Sequence, residues 1–278
     1  MKTGIRNYYL DTYGLEDGAR KMAADGYECI DFNFQNTETN YYEAREEDFL
    51  EEMLKIKKTF SQNGITVNQI HGPWRFPQDG TEYDRAERFG KMTKAMVMAK
   101  HLGAKFMAVH PLMPFGANSP ENPEEVFNIN KRYFEALAKV GAGLGVTVCL
   151  ENTPFPDFPL ARCEDILHLV KEINSPFLKM CFDTGHANIL GEPIYQTIKD
   201  IGYDTLKILH CHDNDGKNDQ HLPPYEGVID WSELAEALFD IGYDGALCFE
   251  TDPTKYPNAI DKEDGESRLS RITKLIAG

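Results

Sequence analysis

The chain has 278 residues, with 29 Lys and Arg against 45 Asp and Glu, a formal charge of −16. Hydrophobic residues make up 41% and aromatics 11%, enough to bury a large core, so wholesale disorder is excluded. The charge argues against tight non-specific binding of nucleic acid, which needs clustered Lys and Arg; it leaves cations open, and much of it reads as a solvated surface. No apolar run reaches the ~18 residues of a membrane helix. The opening MKTGIRNYYLDTYG lacks the apolar stretch of a signal peptide. The expectation is a cytoplasmic protein with no membrane partner. Six cysteines (Cys29, Cys149, Cys163, Cys181, Cys211 and Cys248) form no CxxC pair, which removes zinc-ribbon and thioredoxin readings. They are expected to be reduced and packed as small hydrophobes.

In chain order, a weak β-rich run near 3–8 is followed by stronger ones at 27–33, 65–71, 104–110, 146–152, 177–183, 206–212 and 246–251. Helical-period segments separate them, at about 15–25, 46–62, 83–102, 124–143, 163–172, 190–200, 231–241 and 264–276. Gly26, Gly64, Gly103, Gly145 and Gly242 stand where several helices should stop. Regular β/α alternation means parallel strands with crossover helices. The strand count, the even spacing and the lack of a phosphate-loop signature favour a closed (β/α)8 TIM barrel over an open sheet. GAGLG at 141–145 precedes a strand instead of following one, so it is not a dinucleotide fingerprint. A length prior of ~150 residues per domain suggests two domains. Nothing divides the chain, and 1–278 reads as one α/β barrel.

Residues at the C-terminal ends of barrel strands converge on one mouth, where active sites form. From the third strand on these are His71, His110, Glu151, Asp183, His210 and Glu250, all potential metal ligands. They lie about one βα repeat apart, the distance the chain needs to return to the same mouth. His186, Asp219 and His221 follow in the next loops. A single His is usually structural; the set carries the inference. Imidazole with carboxylate suits Zn, Mn, Fe or Co. Cys211 should point away from its neighbours His210 and His212, because side chains alternate along a strand. An EF-hand reading of Asp213-Asn214-Asp215-Gly216 fails, because the position that needs Glu is Leu222. Trp74, Phe115 and Phe155 lie just past strand ends, where they are candidates for substrate contact by stacking. Arg75 and Lys217 are the cations available to a phosphate, and Asn152 is a further candidate for substrate contact.

The motifs His71-Gly72-Pro73-Trp74, His110-Pro111, Glu151-Asn152-Thr153, Asp183-Thr184-Gly185-His186-Ala187, His210 to Asp213, Asp219-Gln220-His221 and Phe249-Glu250 together resemble the xylose-isomerase-like TIM-barrel superfamily. That group holds sugar isomerases and epimerases and the endonuclease IV type of DNA-repair enzyme. The sugar branch implies one divalent ion on Glu151, Asp183, His210 and Glu250. In it the two glutamates also move the proton and His186 contacts substrate. The nuclease branch implies three zinc ions on nine ligands, matching His71, His110, Glu151, Asp183, His186, His210, Asp219, His221 and Glu250. All nine residue types are present. The surrounding loops depart from the nuclease: its His-Ala-Pro-Tyr-Leu is His71-Gly72-Pro73-Trp74-Arg75 here, and its Asp-Thr-Cys-His is Asp183-Thr184-Gly185-His186. With the acidic charge, this ranks a sugar above DNA.

The resemblance therefore implies a metal-dependent sugar or sugar-phosphate isomerase or epimerase working through an enediolate, with Mn, Zn, Co or Mg as one ion, or two or three in a multinuclear relative. A nuclease on abasic DNA and another carbohydrate lyase or hydrolase are the alternatives. The superfamily's sugar enzymes are often oligomeric, which keeps a homo-oligomer among the expectations although the sequence carries no signal for one.

Overall fold

The structure is a computed structural model and describes residues 1–74 and 79–278. Eight parallel strands close into a barrel in sequence order: β1 (Lys2–Arg6), β2 (Cys29–Asn33), β3 (Thr66–His71), β4 (Phe106–Val109), β5 (Thr147–Glu151), β6 (Leu178–Asp183), β7 (Leu206–Cys211) and β8 (Ala246–Phe249). The main crossover helices are α2 (Leu15–Asp25), α4 (Glu46–Gln62), α5 (Glu82–Leu102), α6 (Pro123–Leu144), α7 (Cys163–Ile173), α9 (Ile194–Ile201), α10 (Trp231–Asp240) and α11 (Lys262–Ala277). The TIM barrel expected from alternation is the fold observed.

Three short helices were not expected: α1 (Tyr8–Tyr13), α3 (Asn40–Glu43) and α8 (Thr184–Ile189). The helical segment expected at 190–200 is α9, starting four residues later, and α8 precedes it as a separate short helix. The break follows from Gly191, which takes a left-handed φ of 66°, and from Pro193, which caps α9. Gly26, Gly103 and Gly145 cap α2, α5 and α6 in left-handed conformation, as their spacing suggested.

Strand side chains divide by the period-two rule. One set, including Ile5, Ile30, Ile70, Met107, Leu150, Phe182, Leu209 and Phe249, is buried in the main hydrophobic core. The other set fills the barrel and is small low down: Ala108, Cys149, Cys181 and Ile208 form one cluster, and Cys29, Ala246 and Cys248 another. Gly4 lies between the last two cysteines, where an added Cβ would come within 2.8 Å of both sulfurs. Small residues there keep the interior filled without splaying the strands. All six cysteines are buried and free, and Cys211 packs in the main core, facing away from the mouth. His101 lies on α5 and His168 on α7, where His168 stacks on Phe127.

Candidate metal and sugar site at the barrel mouth

Continuing the inward set of each strand toward its C-terminal end leads to Arg6, Asn33, His71, His110, Glu151, Asp183, His210, His212 and Glu250. Parallel register sets Asp183 level with His210, so His212 is one inward step nearer the mouth. A cavity of about 300 Å³ opens here, lined among others by Arg6, His71, His110, Glu151, His186 and Glu250.

Glu151 is the centre of a deep ring. Its Oε1 accepts a hydrogen bond from His210 Nδ1 at 2.8 Å, and its Oε2 lies 3.2 Å from His110 Nε2 and 3.3 Å from His71 Nε2. His210 Nε2 is 2.9 Å from Asp31 Oδ2, so this ring stands between two buried carboxylates. Arg6 pairs with Glu250 Oε2 at 3.1 Å and also donates to Gln35.

An outer group gathers around Asp183 and Asp219. His212 Nε2 is 3.1 Å from Asp183 Oδ1 and 3.7 Å from Asp219 Oδ1. Asp219 Oδ2 lies 3.5 Å from His186 Nε2, and its Oδ1 lies 3.4 Å from His221 Nε2. His212 and His221 stack with ring centroids 4.0 Å apart.

Three of these imidazoles share one arrangement. Nδ1 of His71 donates to Gly72 O, Nδ1 of His186 to Asn152 O, and Nδ1 of His221 to Glu250 O, at 2.9, 2.8 and 2.7 Å. In the neutral ring this leaves Nε2 as a lone pair directed at a carboxylate. Two acceptors repel unless a proton or a cation lies between them. Metal-bound histidines are held in the same way, with the far nitrogen on a backbone carbonyl.

The buried oxygens Glu151 Oε2, Asp183 Oδ2 and Glu250 Oε1 have no hydrogen-bond partner among the described residues, and neither ring nitrogen of His212 has one. Unsatisfied groups at this depth cost ~1–3 kcal/mol each; a divalent cation would satisfy several at once. Among the described residues, five sets bring ligand atoms within 4.8 Å of one another: His71/His110/Glu151, His71/His210/Glu250, Glu151/Cys181/His210, Asp183/His186/His212 and His212/Asp219/His221. The residues present fit a divalent ion.

Electrostatics agree. Burial pushes the Glu151 carboxyl up, but His210 and His110 outweigh it and hold the group below the usual carboxylate range. For Glu250 burial again opposes, and Arg6 followed by His210 holds it low. Burial lowers His110 to about 4. It also works against His186, yet Asp183 and Asp219 push that ring up to about 10. The mouth is a field of fixed negative charge that favours a cation.

A family model described as xylose isomerase-like TIM barrel matches residues 19–269. The chain belongs to this family. An uncharacterised protein of Methanocaldococcus jannaschii is 31% identical over 260 residues, covering 90% of this chain and 83% of the relative. The fructoselysine 3-epimerase of Escherichia coli O157:H7 is 28% identical over 172 residues, covering 62% of this chain and 61% of that enzyme. Among solved structures, that of the IolI protein with a zinc atom superposes with a TM-score of 0.76 at 17% identity, covering 99% of this chain and 97% of that one.

Within this xylose isomerase-like frame the expected site residues separate. Glu151, Asp183, His186, His210, Glu250, His71, His110, Asp219 and His221 all meet at the mouth. Trp74 and Phe155 line the cavity, with the Trp74 ring 3.9 Å from that of His110.

Asn152, expected at the substrate, is instead a clamp. Its Nδ2 donates to Asp183 O at 2.9 Å and its Oδ1 accepts from Asp183 N at 2.8 Å, so both ends of the amide are used to tie β5 to β6. Phe115 is 42% exposed and Lys217 is exposed; neither is among the residues lining the cavity. Arg75 lies outside the described residues.

Sequence reasoning missed Arg6, Asp31, Gln35 and His212. For Arg6, Asp31 and His212 the period-two pattern was the available signal, since Arg6 shares an inward face with Gly4, Asp31 with Cys29, and His212 with His210. Gln35 lies beyond β2, and no strand pattern reaches it.

Proposed function

We propose that this protein is a divalent-metal-dependent sugar isomerase or epimerase. One observation carries the reading: buried carboxylates and imidazoles, several with unpartnered donor atoms, converge on one cavity of about 300 Å³ at the barrel mouth. Sugar chemistry is supported by a relative named fructoselysine 3-epimerase, and a metal by the zinc atom of the IolI protein.

Glu151, Asp183, His210 and Glu250 form the proposed ligand set, with His71, His110, His186, Asp219 and His221 as donors for a second or third ion. The geometry adds His212, whose Nε2 stands 3.1 Å from Asp183 Oδ1 and which shares ligand sets with Asp183, His186, Asp219 and His221. Mn, Zn or Co suits this mixture best, and Mg remains within the resemblance. Once bound, the ion polarises a carbonyl and offsets the negative charge that develops when an adjacent C–H is ionised.

The chain's own groups supply the rest. Glu151 ends β5 and Glu250 directly follows β8, three strands away, so they approach a molecule in the cavity from different sides. One carboxylate takes the proton from carbon, and the other returns a proton to the opposite face; the roles exchange in the reverse direction. Arg6 on Glu250 and His210 on Glu151 fix the orientation of the two carboxylates. His186 Nε2 faces the cavity beside Asp219 and is placed to bond a substrate hydroxyl. Trp74 and Phe155 provide ring faces for stacking and exclude water.

The test is incubation of protein of measured metal content with a panel of ketoses, followed by NMR for the epimer or isomer. Turnover that a chelator abolishes and added metal restores is expected. Protein that retains no transition metal after supplementation overturns the metal reading. Chelator-sensitive incision of abasic duplex DNA, with no sugar turned over, moves the assignment to the nuclease branch.

A further inference from the structure

Beside the mouth lies a second cavity of about 330 Å³, which shares Arg6, His221 and Glu250 with the first. Those three side chains line both cavities, so the two adjoin across them, and a substrate longer than one sugar unit that reaches over them would occupy both. The remaining wall of the second cavity includes Asn7, Asp11, Asn33, Asp252 and Lys255.

The wall mixes donors and acceptors. The amide oxygens of Asn7 and Asn33 are taken by backbone N–H groups of Asn33 and Gln35, at 3.1 and 2.8 Å, which leaves their NH2 groups to donate. Asp11 and Asp252 supply acceptors. A sugar hydroxyl donates and accepts at once, so it matches a wall of this kind.

A phosphate does not match. It needs several convergent donors and positive charge. The Arg6 guanidinium is engaged by Glu250 and Gln35, and Lys255 Nζ donates to Gln220 O. Asp11, Asp252 and Glu250 would repel a dianion.

From this we infer that the substrate is a conjugated sugar: the reacting unit sits at the metal mouth, and a second, uncharged hydroxylated unit such as a glycosyl group fills the neighbouring cavity. The inference rests on the sugar reading above and narrows its substrate class.

Three probes share one ketose and differ only in the group on O6: D-fructose, D-fructose 6-phosphate and isomaltulose, which carries glucose there. Binding to the metal-loaded protein is measured by calorimetry and turnover by NMR. Isomaltulose is expected to bind on the order of tenfold more tightly than fructose, from one or two added hydrogen bonds. Fructose 6-phosphate is expected to bind more weakly than fructose.

Asp11→Trp, which fills the second cavity, brings isomaltulose down to the fructose level and leaves fructose unchanged. Asp252→Trp, from a different segment of the wall, does the same and guards against misfolding of either variant. Isomaltulose bound no better than fructose, tighter binding of the phosphate ester, or an equal loss of both sugars in both variants overturns the inference while the sugar reading stands. Binding of none of the three overturns the sugar reading itself, and this inference with it.

Discussion

The deep ring around Glu151 and the outer group around Asp219 are built from the same residue types but held by different means. Members of the ring sit on or directly after β-strands, and Glu151 and His210 are at most 1% exposed. Barrel hydrogen bonds fix their backbones, and ion pairs fix their side chains. Asp219 and His221 lie in the loop between β7 and α10, and their side chains are 35% and 29% exposed.

That loop is ordered from below. Asp213 and Leu222 exchange backbone hydrogen bonds at 2.8 Å, which closes the segment carrying Asp219 and His221. The Asp213 carboxylate accepts from the backbone N–H of Asn214, Tyr225 and Ile229 and from Trp231 Nε1. His221 and Tyr225 hold left-handed backbone, with φ of 47° and 69°, a conformation that persists only where surroundings enforce it. The stretch once comparable to a calcium loop is thus an internal hydrogen-bond hub. The difference teaches that the ring is part of the fold, whereas the loop half of the outer group, Asp219 and His221, is an addition whose geometry depends on one buried carboxylate.

The largest effect is expected in the ring and at its neighbour Glu250. Glu151→Gln and Glu250→Gln each keep the shape but remove the base, and turnover should fall ~10²–10⁴-fold. Unaltered rates on a sugar that the parent protein converts would show that neither glutamate moves the proton.

Next is Asp213→Ala, which strands four donors and should cost about 3 kcal/mol in denaturant unfolding. If the two groups are held independently, metal content at the outer group drops while a first equivalent of metal is retained. Loss of all metal would show that they form one unit.

Gly185→Ala should act more locally. An added Cβ would run into the His212 ring, which must move. Metal affinity measured by competition with a chelator is expected to weaken ~10–100-fold, the range for disturbed ligand support. Unchanged affinity would remove His212 from the metal's surroundings.

The smallest effects belong to Phe115→Ala and Lys217→Ala. Both residues are exposed outside the cavity, and KM should change by less than about twofold, as for surface substitutions within ~0.5 kcal/mol. A larger rise in KM would return these loops to the substrate.

Much of the site was legible because barrel strands end in register with their chemistry. Repeats of similar length bring His71, His110, Glu151, Asp183 and Glu250 to one mouth, and that spacing is written in the chain. His212 was less legible: alternation placed it inward like His210, but only the packing over Gly185 shows that His212 stands among Asp183, Asp219 and His221. Asn152 read as a contact because it follows Glu151, whereas both ends of its amide bond the Asp183 backbone and tie β5 to β6. Arg6 was hidden by the weakness of the first strand run, and its partner Glu250 is 244 residues away.

By itself, the sequence determined the barrel, the inward and outward faces of its strands, and the acidic, imidazole-rich mouth, because periodicity and repeat length are local properties. The tertiary structure alone decided which nitrogen of each histidine faces a carboxylate and which polar residues are clamps. It also decided that a second polar cavity adjoins the first across Arg6, His221 and Glu250. Those features depend on side chains that meet only when the barrel closes β8 onto β1.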